Sequence, residues 1–104
     1  MDKYEFTRST TGFQYTFEKS IPANTTILLK MPPVSANKRG VNDIGWVAES
    51  GVNLYATLST YPLADTAIWQ QLQPYDEVNK TTNYIKIENT ADSAKRVNIR
   101  AILN

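Results

Sequence analysis

Apolar and polar residues alternate in two runs near the C-terminus, Tyr84-Ile85-Lys86-Ile87-Glu88 and Arg96-Val97-Asn98-Ile99-Arg100-Ala101-Ile102-Leu103. A period of two places successive side chains on opposite faces of an extended strand. The polar stretch 89–95 between the runs is rich in turn formers, so residues 83–104 predict one β-hairpin. A second hairpin is predicted from 44–48 and 52–58, joined by Glu49-Ser50-Gly51 with glycine available for a positive φ. In that register Val52, Leu54, Ala56 and Leu58 point inward, and Asn53, Tyr55 and Thr57 point outward.

Shorter alternating runs fill the rest of the chain. Residues 4–8 and 13–17 flank the turn Ser9-Thr10-Thr11-Gly12 and predict a first hairpin, in which Phe13, Tyr15 and Phe17 share a face. Residues 25–31 read as a strand that stops at Pro32-Pro33, where two backbone donors are lost. Residues 34–42 form the longest irregular stretch. Residues 64–72 favour a strand over a helical turn capped by Asp65, and a bulge or early end is needed because Trp69 and Leu72 cannot both face inward. Pro74-Tyr75-Asp76-Glu77 is expected to turn, and Val78 to lie on a short edge strand.

The resulting expectation is an all-β fold, a single antiparallel β-sandwich of seven or eight strands in jelly-roll or immunoglobulin-like order. The chain of 104 residues suits one domain spanning 1–104. Its N-terminal residues 1–9 are expected as an arm free to add a strand to a neighbour.

Composition removes whole classes of chemistry. Histidine and cysteine are both absent, which excludes Ser-His-Asp and Cys-His catalysis and zinc sites with nitrogen or sulfur ligands. Carboxylates remain, but Asp76 and Glu77 are adjacent on a strand and point to opposite faces, and Asp43 with Glu49 is the other acidic pair available for glycoside hydrolysis. The glycines at 12, 40, 45 and 51 are isolated, so no phosphate cradle is predicted. No cofactor and no metal is expected, and the chain reads as a non-enzyme. Eleven Lys and Arg against ten Asp and Glu give a net charge of +1, without the basic footprint of a nucleic-acid binder. No stretch approaches the roughly 20 apolar residues of a membrane span, and the first residues carry no apolar signal region.

Recognition surfaces are then the remaining source of function. Six Tyr, three Phe and two Trp supply the material. The candidate interaction residues are Trp46, Tyr55, Trp69 and Tyr75, with Lys38 and Arg39 on the long irregular stretch. Each Trp has a competing reading as bulky core, which its size favours. Tyr61 and Tyr84 also sit at strand edges or turns.

The order of Ser20-Ile21-Pro22-Ala23-Asn24-Thr25-Thr26, Gly51-Val52-Asn53-Leu54-Tyr55-Ala56-Thr57-Leu58-Ser59, Ala67-Ile68-Trp69 and Ile85-Lys86-Ile87-Glu88-Asn89 resembles small bacteriophage virion proteins. That resemblance implies a structural component of a phage particle, a capsid decoration or cement protein or one associated with fibre or tail. It also implies partners such as the major capsid protein, repeated copies in symmetric contact, and a virion location after assembly in the host cytoplasm. The alternative function is a carbohydrate-binding β-sandwich module in which exposed Trp and Tyr stack on a glycan.

Overall fold

The computed structural model describes residues 1–8, 14–32 and 41–103, with Leu103 in its backbone only. The described residues form ten strands and no helix: β1 (Lys3–Glu5), β2 (Thr7–Arg8), β3 (Gln14–Ile21), β4 (Thr26–Lys30), β5 (Val41–Ala48), β6 (Val52–Thr57), β7 (Gln70–Leu72), β8 (Tyr75–Asn79), β9 (Tyr84–Asn89) and β10 (Lys95–Leu103). They make two five-stranded sheets, sheet A in the order β1-β4-β9-β6-β7 and sheet B in the order β2-β3-β10-β5-β8. The fold is all-β as expected, but with ten strands in place of seven or eight. Short strands account for much of the surplus, since β1, β2 and β7 span only two or three residues each. Pairing is antiparallel except at the edge, where β1 runs parallel to β4.

Alternation identifies the buried face correctly. Val97, Ile99 and Ala101 of β10, Ile85 and Ile87 of β9, and Val52, Leu54 and Ala56 of β6 all belong to one buried cluster with Phe17, Ile21, Ile27, Leu29 and Ile44. Each large aliphatic side chain removed from water in this way contributes about 1.5–3 kcal/mol. Across sheet A, Ile27 pairs with Ile87 and Ile87 with Leu54, which pairs in turn with Leu72. In sheet B, Phe17 pairs with Ile99 and Ile99 with Trp46.

Connectivity differs from the expectation at both main hairpins. β9 lies in sheet A between β4 and β6, whereas β10 lies in sheet B between β3 and β5. Residues 84–103, predicted as one hairpin, are therefore an arch that carries the chain from one sheet to the other. β5 and β6 form a second arch, because they too belong to different sheets. A hairpin and an arch bury the same alternate side chains, so periodicity cannot separate them; the partner strands, remote in sequence, decide. Among the described strands only β2 to β3 and β6 to β7 connect neighbours within one sheet.

Pairing of β2 with β3, Thr7 opposite Thr16 and Arg8 opposite Tyr15, is the first hairpin that the sequence predicts. Its turn, and Phe13, lie outside the described residues. The N-terminal segment expected as a free arm is laid on its own chain, with β1 paired to β4, the Leu28 amide donating to the Asp2 carbonyl at 2.9 Å, and Tyr4 packed on Phe17 at 6.0 Å between ring centroids. β5 starts at Val41, so the stretch 34–42 is not all irregular. Tyr75 opens a strand rather than sitting in a turn.

Three of the crossings, residues 22–25, 49–51 and 90–94, meet at one end of the two sheets; the side chain of Asn89 ties the first to the last, and Thr90 beside it ties in 49–51. Asn89 is 1% exposed. Its Nδ2 donates to the carbonyls of Ile21 at 3.0 Å, Pro22 at 3.1 Å and Ser93 at 3.0 Å, and its Oδ1 accepts from the Ala91 amide at 2.9 Å. Two amide hydrogens serve three carbonyls, so one bond is shared. The Asn24 amide donates to the Ala91 carbonyl at 3.0 Å, and the Thr90 amide and hydroxyl both reach the Gly51 carbonyl at 2.9 Å. Asn24 at φ 52° and Gly51 at φ 101° supply the left-handed backbone that such corners need. At Gly51 a Cβ would come within 3.1 Å of the Ala91 side chain, so the close approach of two crossings adds to the preference for glycine there.

Replacing Asn89 with Ala strands buried carbonyls of two crossings, and replacement with Asp keeps the size but removes the donors. Each is expected to cost about 2–4 kcal/mol, a fall in Tm of about 10–25 °C for a domain of this size. Thermal unfolding followed by circular dichroism measures it; a change of less than about 2 °C would show that the crossings hold without the amide.

Candidate functional site

The connection from β6 to β7, residues 58–69, gathers an unusual share of the exposed apolar surface. Ile68 is 84% exposed, Tyr61 74%, Leu63 62% and Leu58 56%. Apolar side chains clustered in the open on a protein surface mark contact sites. Alternation ends with β6 at Thr57, so Leu58, expected to point inward, has left the sheet.

This connection is nonetheless tightly folded. The Ser59 amide donates to Thr57 Oγ1 at 3.2 Å and the Tyr61 amide to Ser59 Oγ at 3.0 Å. The Ala64 amide reaches the Tyr61 carbonyl at 3.1 Å and the Ala67 amide the Ala64 carbonyl at 3.0 Å, closing two consecutive turns, the first of which contains the buried Pro62. Asn83 Nδ2 holds the Leu58 carbonyl at 2.6 Å from the crossing between β8 and β9. These bonds explain why 64–69 is not the strand the sequence favoured: local side-chain and turn bonds take the backbone groups that a ladder would need, and only Gln70–Leu72 pair with β6. Between this connection and the sheets lies a groove of about 410 Å³, lined by Leu58, Thr66, Ile68 and Gln70 on one side and by Asn79 and Thr82 on the other.

Trp69 ends the connection and passes it to the outer face of sheet A. There the Lys86 ammonium sits 4.5 Å from the Trp69 ring centroid and 4.8 Å from that of Tyr55. The pairings Lys3 with Leu28, Leu28 with Lys86 and Lys86 with Tyr55 set these residues in one row. In the next row Lys30 pairs with Tyr84, and the ammonium groups of Lys30 and Lys3 lie 4.7 and 5.6 Å from the Tyr84 ring centroid.

Two of the candidate residues, Tyr55 and Trp69, are thus brought together through Lys86. Tyr75 is on sheet B, 65% exposed and resting over Gly45. Trp46 is half-buried against the core, with its indole N–H donated to the Gln73 carbonyl at 2.6 Å, so it is chiefly structural. Lys38 and Arg39 lie outside the described residues. The carboxylates do not assemble a catalytic pair from Asp76 and Glu77: Asp76 accepts from the amides of Glu77 at 2.9 Å and Gln73 at 3.4 Å and so braces the turn before β8.

Comparison with solved structures bears on what such a surface is for. The fold is shared with PliG, a periplasmic inhibitor of g-type lysozyme. Aeromonas hydrophila PliG superimposes with a TM-score of 0.73 over 100% of both chains, at 8% identity. Salmonella Typhimurium PliG gives 0.58 over 100% of this chain and 99% of its own, at 9% identity, and an Escherichia coli PliG mutant gives 0.55 over 99% and 98%, at 8% identity. Likeness at this identity is likeness of fold. No protein-family model matches the sequence, and no curated protein does.

PliG overturns the virion reading. The matched proteins are periplasmic and inhibit a lysozyme, so the phage-particle role, the major capsid protein as partner, the symmetric copies a particle requires, and the virion location all give way. The carbohydrate-binding alternative and its glycan ligand give way with them. A Thr- and Asn-rich texture of alternating strands reflects two packed sheets, whatever they bind, and this is why it misdirected the functional reading. The matched proteins are inhibitors of an enzyme rather than enzymes.

Sequence reasoning missed Leu58, Leu63, Ile68, Lys30 and Lys86. A usable signal existed for Leu63, a large apolar residue outside every predicted strand and so without a core face to occupy; Leu58 and Ile68 fell within runs read as strands and carried none. For the lysines the signal is cross-strand pairing, which no local pattern encodes.

Exposure and structural role separate cleanly in a stability test. Trp46→Phe is expected to lower stability by about 1–2 kcal/mol through its lost hydrogen bond and packing, whereas Tyr61→Ala and Ile68→Ser should stay within about 0.5 kcal/mol. Urea unfolding of the three variants measures this, and comparable losses in all three would show that the connection is part of the core.

Proposed function

We propose that this chain is a non-enzymatic protein inhibitor of a lysozyme-class glycan hydrolase, acting outside the cytoplasm. The observation that carries the reading is the match to Aeromonas hydrophila PliG over the whole length of both chains. The surface supports it. Residues 58–69 present Tyr61, Leu63 and Ile68 to solvent on a backbone already closed by turns, and a contact segment ordered in advance loses less entropy on binding. Tyrosine is among the side chains enriched where binding energy concentrates at interfaces, which singles out Tyr61. Inhibition then follows from occupation: a protein seated over a glycan cleft excludes the polysaccharide, with no bond made or broken. We also read β3 to β10 as a jelly roll, β4-β9-β6-β7 over β3-β10-β5-β8, with β1 and β2 each adding a strand at one edge.

Lysis of bacterial cell walls by a purified g-type lysozyme, titrated with the purified chain, tests the proposal. Lysis should fall to background by about 10 μM, above the Kd of specific interfaces of ordinary size. Tyr61→Ala combined with Ile68→Ser should weaken inhibition at least about tenfold with the unfolding midpoint unchanged. Undiminished lysis at a large excess of the folded chain would refute the inhibitor reading.

A further inference from the structure

The outer face of sheet A carries cations that have found rings instead of carboxylates. Lys86 occupies β9, the central strand, and its ammonium lies over both Tyr55 and Trp69. Lys30 and Lys3 both approach the ring of Tyr84, which is itself 8% exposed. An ion pair does form elsewhere, between Arg96 and Glu18 on sheet B. Glu5 and Glu88 stand on the same face of sheet A by register, paired to Lys30 and to Thr26 and Asn53, but neither holds one of these ammonium groups in an ion pair.

A ring orients an ammonium without neutralising it. Attraction to the π face is worth about 0.5–1 kcal/mol at exposed sites, enough to restrict a flexible lysine while its three N–H donors stay available. The usual entropy cost of fixing a long side chain in an interfacial ion pair is thereby reduced in advance. Lys86 is also joined to the apolar segment, since Trp69 directly follows Ile68.

We propose that this lysine and aromatic strip, centred on Lys86, is the part of the docking surface that meets carboxylates of the target hydrolase. The inference rests on the inhibitor reading above and specifies its partner's chemistry. Glycoside hydrolases of the common type work with a pair of Asp or Glu side chains flanking the scissile bond, so a cleft of this class is acidic where a blocking protein must sit. The apolar segment 58–69 supplies contact area, and the strip beside it supplies the complementary charge that speeds encounter and sets orientation.

Binding of a purified g-type lysozyme by the intact chain and its variants, measured by surface plasmon resonance at low and high salt, tests this. Affinity of the unaltered chain should fall as salt rises. Lys86→Glu should weaken binding at least about tenfold, Lys86→Gln should weaken it less and flatten the salt dependence, and Lys86→Arg should restore both. Arg100→Glu, on the outer face of sheet B, serves as the charge control and should leave binding within about twofold. The Gln and Arg variants keep the test open if the Glu variant folds poorly. Lysozyme bound and inhibited equally by the unaltered chain and Lys86→Gln, with the same salt dependence, would overturn the strip and leave the inhibitor reading standing. Failure of the unaltered chain to bind or inhibit would overturn both.

Discussion

One buried amide organises the end of the molecule where the chain changes sheets. Crossing between sheets breaks the hydrogen-bond ladder and leaves carbonyls facing inward, and each such group must be met or the crossing is unstable. Asn89 meets those of Ile21, Pro22 and Ser93 at once, while Thr90 beside it binds the carbonyl of Gly51. Among the described residues no buried side-chain nitrogen or oxygen is left without a partner. Because β3, β9 and β10 all pass through this junction, the relative placement of the two sheets depends on it.

That arrangement frees both outer faces. With five strands in each sheet and the aliphatic residues spent between them, outward positions are at liberty to carry charge and rings. Sheet A uses them for Lys3, Lys30, Lys86, Tyr55 and Tyr84, and the connection that leaves its fourth strand adds Tyr61, Leu63 and Ile68. Scaffold and surface are therefore separable: residues whose loss should unfold the chain are inward or at the junction, and residues assigned to binding are outward or on the connection.

Much of the scaffold was legible in the sequence because burial has a local signature. The alternation through Val97, Ile99 and Ala101, and through Val52, Leu54 and Ala56, names the inward face without knowledge of any partner. Pairing has no such signature. Glu49-Ser50-Gly51 looks like a hairpin turn by composition, yet it joins strands of different sheets, and there Gly51 supplies its φ and the close approach to Ala91. Of the surface, Tyr55 and Trp69 could be named as aromatics, but the residue that unites them, Lys86, reads in sequence as an ordinary solvated lysine on an alternating strand. Leu58 and Ile68 were hidden because each fell within a run read as a strand. Function was the least legible part, for folds with 8% identity share almost no residues from which it could be read.

The strand order has a temporal side. β9 and β10 are the central strands of their sheets, yet they are the last of the ten to be made. Until they emerge, β4 has no route to β6 and β3 none to β5, and the earlier strands are fragments with unpaired edges. Folding must wait on contacts between segments far apart in the chain, a topology associated with slow, late closure. A nascent chain of this design leaves β3, β4, β5 and β6 each short of a sheet partner until its last two strands are made.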